Sequence, residues 1–171
     1  MGANLIQEER ESVTMSDAVQ PIQQGVIPHL VVSDANAALS FYVQALGARE
    51  VFRMPAKDSP RLLHAEIHVN GARVFVRDDF PEYRADHGGT SAPPAVLKGT
   101  SVALHLEVAN CDAAMERAVA AGATVTMPAM DAFWGARYGQ VADPFGHLWS
   151  FAHPLGNPGE PCPLAPAADQ G

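Results

Sequence analysis

The sequence predicts an α+β fold of two tandem βαβββ modules whose sheets pair into a curved, cleft-forming incomplete barrel. Three observations predict it. First, HLVVSDANAALSF at residues 29–41 is echoed by HLEVANCDAAMER at residues 105–117. His29 and His105, Leu30 and Leu106, Val32 and Val108, and the pairs Ala37-Ala38 and Ala113-Ala114 keep step. Second, each copy reads strand then helix, followed by runs that fit three strands. Third, a glycine marks the last turn of each copy, Gly71 and Gly146. Such repetition is the signature of one supersecondary unit used twice. A four-stranded sheet with a single helix buries only one face, so the two units must share a core.

The elements follow in order. Residues 1–24 are polar and without period, and predict a disordered N-terminal arm. The first module spans 25–79. Val26 to Val32 reads as a strand. A helix follows with Ser33 or Asp34 as N-cap and Gly47 just past its end. Strands then fit Arg49 to Met54, Arg61 to Val69 and Arg73 to Asp78, with Asn70-Gly71 a hairpin turn. Residues 80–100 are rich in proline and glycine and read as a linker. The second module spans 101–153. Its first strand is Val102 to Val108, its helix runs from the Asn110 cap to Gly122, and its later strands lie near Thr124 to Pro128, Arg137 to Ala142 and His147 to His153. Residues 154–171, PLGNPGEPCPLAPAADQG, predict a disordered Pro-rich tail.

Composition excludes several classes. The formal net charge is −8, with no basic run, which argues against nucleic acid and against an anionic membrane surface. The opening residues lack the apolar core of a secretory signal, and no stretch approaches the roughly 20 apolar residues of a membrane helix. Two cysteines, Cys111 and Cys162, do not make a disulfide framework, so a reducing cytoplasm is the expected compartment. No P-loop, Rossmann or Gly-x-Ser-x-Gly pattern occurs.

Strand alternation sorts the side chains. Leu63, Ala65, Ile67 and Val69 fall on one face and His64, Glu66 and His68 on the other. Val74 and Val76 alternate with Arg73, Phe75 and Arg77. Leu104, Leu106 and Val108 alternate with Ala103, His105 and Glu107. The apolar faces meet the helices. The opposite faces then carry His29, His64, Glu66, His68, Arg73, Phe75, Arg77, His105, Glu107 and Ser150. Apolar walls with a few ionisable groups suit a small-molecule site.

The paired modules, the helix runs AALSFYVQALGA and AAMERAVAAGATV, and the closing ADPFGHLWSF resemble the vicinal oxygen chelate superfamily of glyoxalases, bleomycin-resistance proteins and extradiol dioxygenases. RLLHAEIHVNG with FWGARYGQVADPFGHLWSF is similar to its PhnB-like branch. The resemblance covers about residues 25–153. It implies a homodimer and a ligand cleft between modules, and, in metal-dependent members, four ligands on the first and last strands of each module. The repeat places those positions at Ile27, Phe75, Ala103 and Ser150. Ile, Phe and Ala side chains cannot ligate a divalent ion, and Ser is a poor neutral ligand. The expectation is therefore no metal at the usual positions and no cofactor.

His29 and His105 each lie two residues beyond an expected ligand. They could join Glu66 or Glu107 in a displaced metal site, act as an acid and base, or serve as wall residues. His64, Glu66 and His68 spread over roughly 13 Å along a strand, too far for one ion to take all three. Arg73 and Arg77 are either anion binders or partners of nearby carboxylates. In FWGARYG, Trp134, Arg137 and Tyr138 form an expected loop that would stack on a flat ligand; the alternative is that Phe133 and Trp134 cap the core. Asp143 is read as a turn residue, and Cys111 as a structural thiol whose pKa the helix dipole would lower.

Two functions remain open. One is a metal-independent small-molecule binder, with ligand-binding residues His29, His64, Glu66, Phe75, Arg77, His105, Trp134, Arg137, Tyr138 and Ser150. The other is a metal-dependent isomerase, lyase or dioxygenase using His29, His105 and Glu66.

Overall fold

The computed structural model describes residues 25–156. The expected arm and all but the first residues of the expected tail lie outside that range. β1 (His29–Val32), α1 (Ala35–Leu46), β2 (Arg49–Pro55), β3 (Leu62–Val69) and β4 (Ala72–Asp78) make the first module. β5 (Ala103–Glu107), α4 (Cys111–Ala120), β6 (Thr124–Ala132), β7 (Ala136–Ala142) and β8 (Leu148–Pro154) make the second. The sheets have matching orders, β1-β4-β3-β2 and β5-β8-β7-β6. In each, the first strand pairs parallel with the last and the other pairs are antiparallel. The repeat in the sequence is therefore a repeat in the fold, and no closed barrel forms.

Local chemistry sets the boundaries. Asp34 caps α1, its carboxylate accepting from the Ala37 N–H at 2.9 Å, and Asn110 does the same for α4 through Ala113 at 3.0 Å. Gly47 ends α1 at φ 65°, a left-handed conformation that costs glycine no Cβ clash. Asn70 and Gly71 both take positive φ, 48° and 80°, as a tight two-residue hairpin demands.

The modules meet through α1 against α4, and their buried residues form one continuous core. No strand of one sheet pairs with a strand of the other among the described residues. The join is polar as well as apolar. The buried Asp143 carboxylate accepts from the Tyr42 hydroxyl at 2.8 Å, from Trp149 Nε1 at 3.0 Å, and from the Phe145 and His147 N–H groups, both at 2.9 Å. His147 Nε2 reaches the Val31 carbonyl at 3.0 Å, and Arg117 Nε donates to the Ala45 carbonyl at 2.9 Å.

Four expectations change. A register shift between Met54 and Pro55 turns the start of β3, so Leu62 is buried (1% exposed) and Leu63 is open (45%). Val26 to Pro28 precede the strand and do not belong to it. The linker holds two helices, α2 (Pro81–His87) and α3 (Pro94–Leu97). Each has proline in its first turn and a left-handed residue at its end, Gly88 and Lys98. FWGARYG, expected as a loop running into a strand at Arg137, is the β6–β7 hairpin: Phe133 to Gly135 make its turn, and Arg137 and Tyr138 lie inside β7.

Candidate functional site

The face of the first sheet opposite α1 is open. β1 and β4 set His29 beside Phe75 in register, and the β2–β3 pairing sets Met54 beside His64 and Phe52 beside Glu66. The rings pack edge to face: His64 against Phe75 at 4.6 Å between centroids, and His29 against both His64 and Phe75 at 5.8 Å. Phe52, half-exposed, adds a tilted contact to His64 at 6.0 Å. Burial holds the His29 imidazole below its ordinary pKa, and the nearby Arg77 and His64 add to the shift. His29 is therefore neutral at pH 7, with one ring nitrogen to donate and one to accept.

Glu66 is on the same face and is fully engaged. Arg73 grips it with two bonds, 2.9 and 2.8 Å, and His68 Nε2 lies 3.0 Å away. These hydrogen bonds, that to Arg73 foremost, hold the carboxyl down to about 2. Arg77 donates from Nη1 to the Asp78 carbonyl at 3.1 Å and forms no ion pair among the described residues.

The second sheet carries the counterpart. His105 Nδ1 lies 2.9 Å from Ser150 Oγ, and Nε2 lies 3.2 Å from Glu107 Oε1. Tyr138 lies nearly parallel to the His105 ring at 6.2 Å, and Trp134 meets Tyr138 edge on at 5.7 Å. The Ser150–His105–Glu107 chain has the partners of a nucleophilic triad. Ser150, however, is only 3% exposed, so its hydroxyl has no open path to a substrate within one chain.

Several expectations are corrected by this geometry. Arg137 does not join the site: its neighbour on the strand, Tyr138, takes the open face, and Arg137 instead pairs with Asp112 at 2.8 Å and Asp131 at 2.9 Å. Phe133 does not cap the core, being 97% exposed. Within one chain the alternative metal set is not brought together: His29 and Glu66 lie on the first sheet and His105 on the second. No cluster of three or more His, Cys, Asp or Glu among the described residues is placed to hold an ion. Cys111 is structural in its surroundings, its Sγ 3.3 Å from the Phe151 carbonyl, but burial pushes its thiol up, overriding the expected dipole effect.

Sequence reasoning missed part of this surface. A cavity of ≈ 480 Å³ opens beside the first sheet, lined by Leu63, Arg77, Phe80, Tyr83 and Ser91 among others. Leu63 was placed on the wrong face, and Phe80 and Tyr83 were placed in a linker. Pro81 followed by Gly88, a start and stop signal for α2, is the pattern that would have found them.

Comparison with known proteins gives a consistent picture. The family model described as Glyoxalase/Bleomycin resistance protein/Dioxygenase superfamily matches residues 22–151. The uncharacterized protein Rv0887c of Mycobacterium tuberculosis is 45% identical over 147 residues, covering 86% of this chain and 82% of its own. A glyoxalase-related enzyme from Fulvimarina pelagi superposes with a TM-score of 0.59 at 29% identity, over 76% of this chain and 87% of that one. TioX from Micromonospora sp. ML1 gives a TM-score of 0.56 at 28% identity, over 75% of this chain and 94% of that one.

Proposed function

The chain belongs to the glyoxalase/bleomycin resistance protein/dioxygenase superfamily, and within it we propose a PhnB-like cytoplasmic protein that binds a small organic molecule without the usual divalent metal. One observation carries this reading: the Phe75 ring, at a position where the superfamily resemblance expects a metal ligand, packs directly against the His29 and His64 imidazoles. A carboxylate there would face two ring nitrogens; a phenyl ring instead makes an aromatic wall. On the second sheet Ser150 supports the same reading, since a neutral hydroxyl satisfied by His105 is a weak ligand. His29, His64, Glu66, Phe75 and Arg77 then line one wall, and Trp134, Tyr138 and His105 the other, with Ser150 behind His105.

A homodimer would bring the first sheet of one copy opposite the second sheet of its partner, completing the cleft. The edge strands β2 and β6 support it, exposing Phe52, Met54, Met127 and Met130 in rows that an isolated chain leaves to water.

The test is a fluorescence titration with N-phenyl-1-naphthylamine, a neutral aromatic probe. Phe75→Ala should weaken binding about tenfold while the far-ultraviolet dichroism stays unchanged, as expected for losing a buried ring contact. Unchanged affinity in Phe75→Ala, with Phe52→Ala also silent, would remove the open face as the site.

A further inference from the structure

We propose that the cavity between the first sheet and α2 is the anion-selecting end of the ligand site, so that the ligand is an apolar, ring-bearing acid whose oxyanion pairs with Arg77. This rests on the small-molecule reading above and adds a chemical class to it.

Most arginines of the described chain have a carboxylate: Arg53 has Glu50, Arg61 has Glu82, Arg73 has Glu66, Arg84 has Asp79, and Arg137 has Asp112 and Asp131. Of the three without one, Arg49 contacts His68 and Arg117 donates to the Ala45 carbonyl, while Arg77, which lines this cavity, has only the Asp78 carbonyl through one nitrogen. It is half-buried on a central strand, where an unpaired guanidinium loses hydration without gaining an ion pair. Its remaining N–H groups form a planar fork suited to a carboxylate or sulfonate.

The surroundings define the rest of the molecule. The cavity is ≈ 480 Å³, the size of a small-molecule pocket, and Leu63, Phe80 and Tyr83 give it apolar walls. Its other charged lining, Arg84 and Asp79, is mutually neutralised at 2.6 Å. Thr90 and Ser91 complete the lining. The site therefore presents one uncompensated positive charge at the end of an apolar chamber. The neighbouring His29–His64–Phe75 wall extends the same surface for a ring. The segment joining the modules, which reads as a linker, is on this account a wall of the site and a determinant of what enters it.

The experiment compares two probes on the full chain: 8-anilinonaphthalene-1-sulfonate, and N-phenyl-1-naphthylamine, which has the same rings without the sulfonate. Arg77→Met should weaken the sulfonate at least about tenfold, the scale of one lost charge-assisted pair, and move the neutral probe less than about twofold. Tyr83→Ala, on an exposed helix, should weaken both probes. Equal effects of Arg77→Met on both, no effect on the sulfonate, or no effect of Tyr83→Ala would overturn the proposal. Binding of the neutral probe alone would overturn the acid class and leave the open-face reading standing. Binding of neither would overturn both.

Discussion

The Tyr42 hydroxyl of the first module donates to the Asp143 carboxylate of the second at 2.8 Å, inside the core that joins them. Tyr42 is wholly buried and Asp143 is 4% exposed, so neither group can exchange this bond for water. Tyr42→Phe should cost about 1–3 kcal/mol, the usual penalty for leaving a buried acceptor short of a donor. Chemical denaturation checks this. Burial first, and then Asp143, raises the Tyr42 pKa well above its ordinary value. The unfolded tyrosine ionises near its usual pH of about 10 and the folded one resists. The stabilisation is thus complete below that pH and is lost as pH rises beyond it. Stability of the native chain should fall above about pH 10, and the fall should be shallower in Tyr42→Phe.

Glu66 and Arg73 predict an acid-side effect. The folded carboxyl is held down to about 2, chiefly by hydrogen bonds from Arg73. Its contribution is present above the ordinary carboxylate range and is lost as pH falls from there toward 2. Carbon-detected NMR titration of Glu66 should show the low midpoint. In Arg73→Met the midpoint should move up toward the ordinary value.

His29 responds to its neighbours in the opposite sense to a salt-bridged histidine. Burial, Arg77 and His64 all disfavour its charged form. Its contribution to stability is present above the ordinary histidine pKa and is lost as pH falls below it. Removing the Arg77 charge in Arg77→Met should raise the His29 midpoint, read from the imidazole proton shifts. No movement would mean that Arg77 does not face this ring.

Gly139 of β7 lies directly against the Met115 side chain of α4. A Cβ built there would lie 2.1 Å from Met115 Sδ and 3.2 Å from the Ala129 Cα. The flexible methionine can yield, but the Ala129 backbone cannot. Gly139→Ala should destabilise by about 1–3 kcal/mol. The double variant with Met115→Ala should recover less than the whole loss, because the backbone contact remains. Thermal melts of the four chains close the cycle.

Much of the fold was legible because it rests on local signals. Asp34, Asn110, Gly47 and the Asn70-Gly71 turn act within a few residues of themselves, and the repeated phrase fixed the order of strands. The module interface was less legible. DPFG revealed the turn that Asp143 makes with Phe145 and His147, yet its bond to Tyr42 spans 101 positions and leaves no periodic trace. Alternation also fails at a bulge, which is why Leu63 lies on the face opposite to the one expected. Strand parity puts His29, His64, Phe75 and Arg77 on one face, and the structure places them on that face. Arg137 and Tyr138 begin the expected strand, so parity puts them on opposite faces, and treating both as one ligand-stacking loop set that parity aside. Phe80 and Tyr83 were passed over because a Pro-start, Gly-stop helix without an apolar stripe looks like linker.

On the proposed function, the open face is an aromatic small-molecule wall and not a metal centre. The direct measurement is a calorimetric titration of the metal-stripped full chain with nickel, cobalt, manganese and zinc in turn. No tight stoichiometric site should appear for any of them. One equivalent bound tightly per chain, and lost in both His29→Ala and His105→Ala, would contradict it and establish the displaced metal site instead.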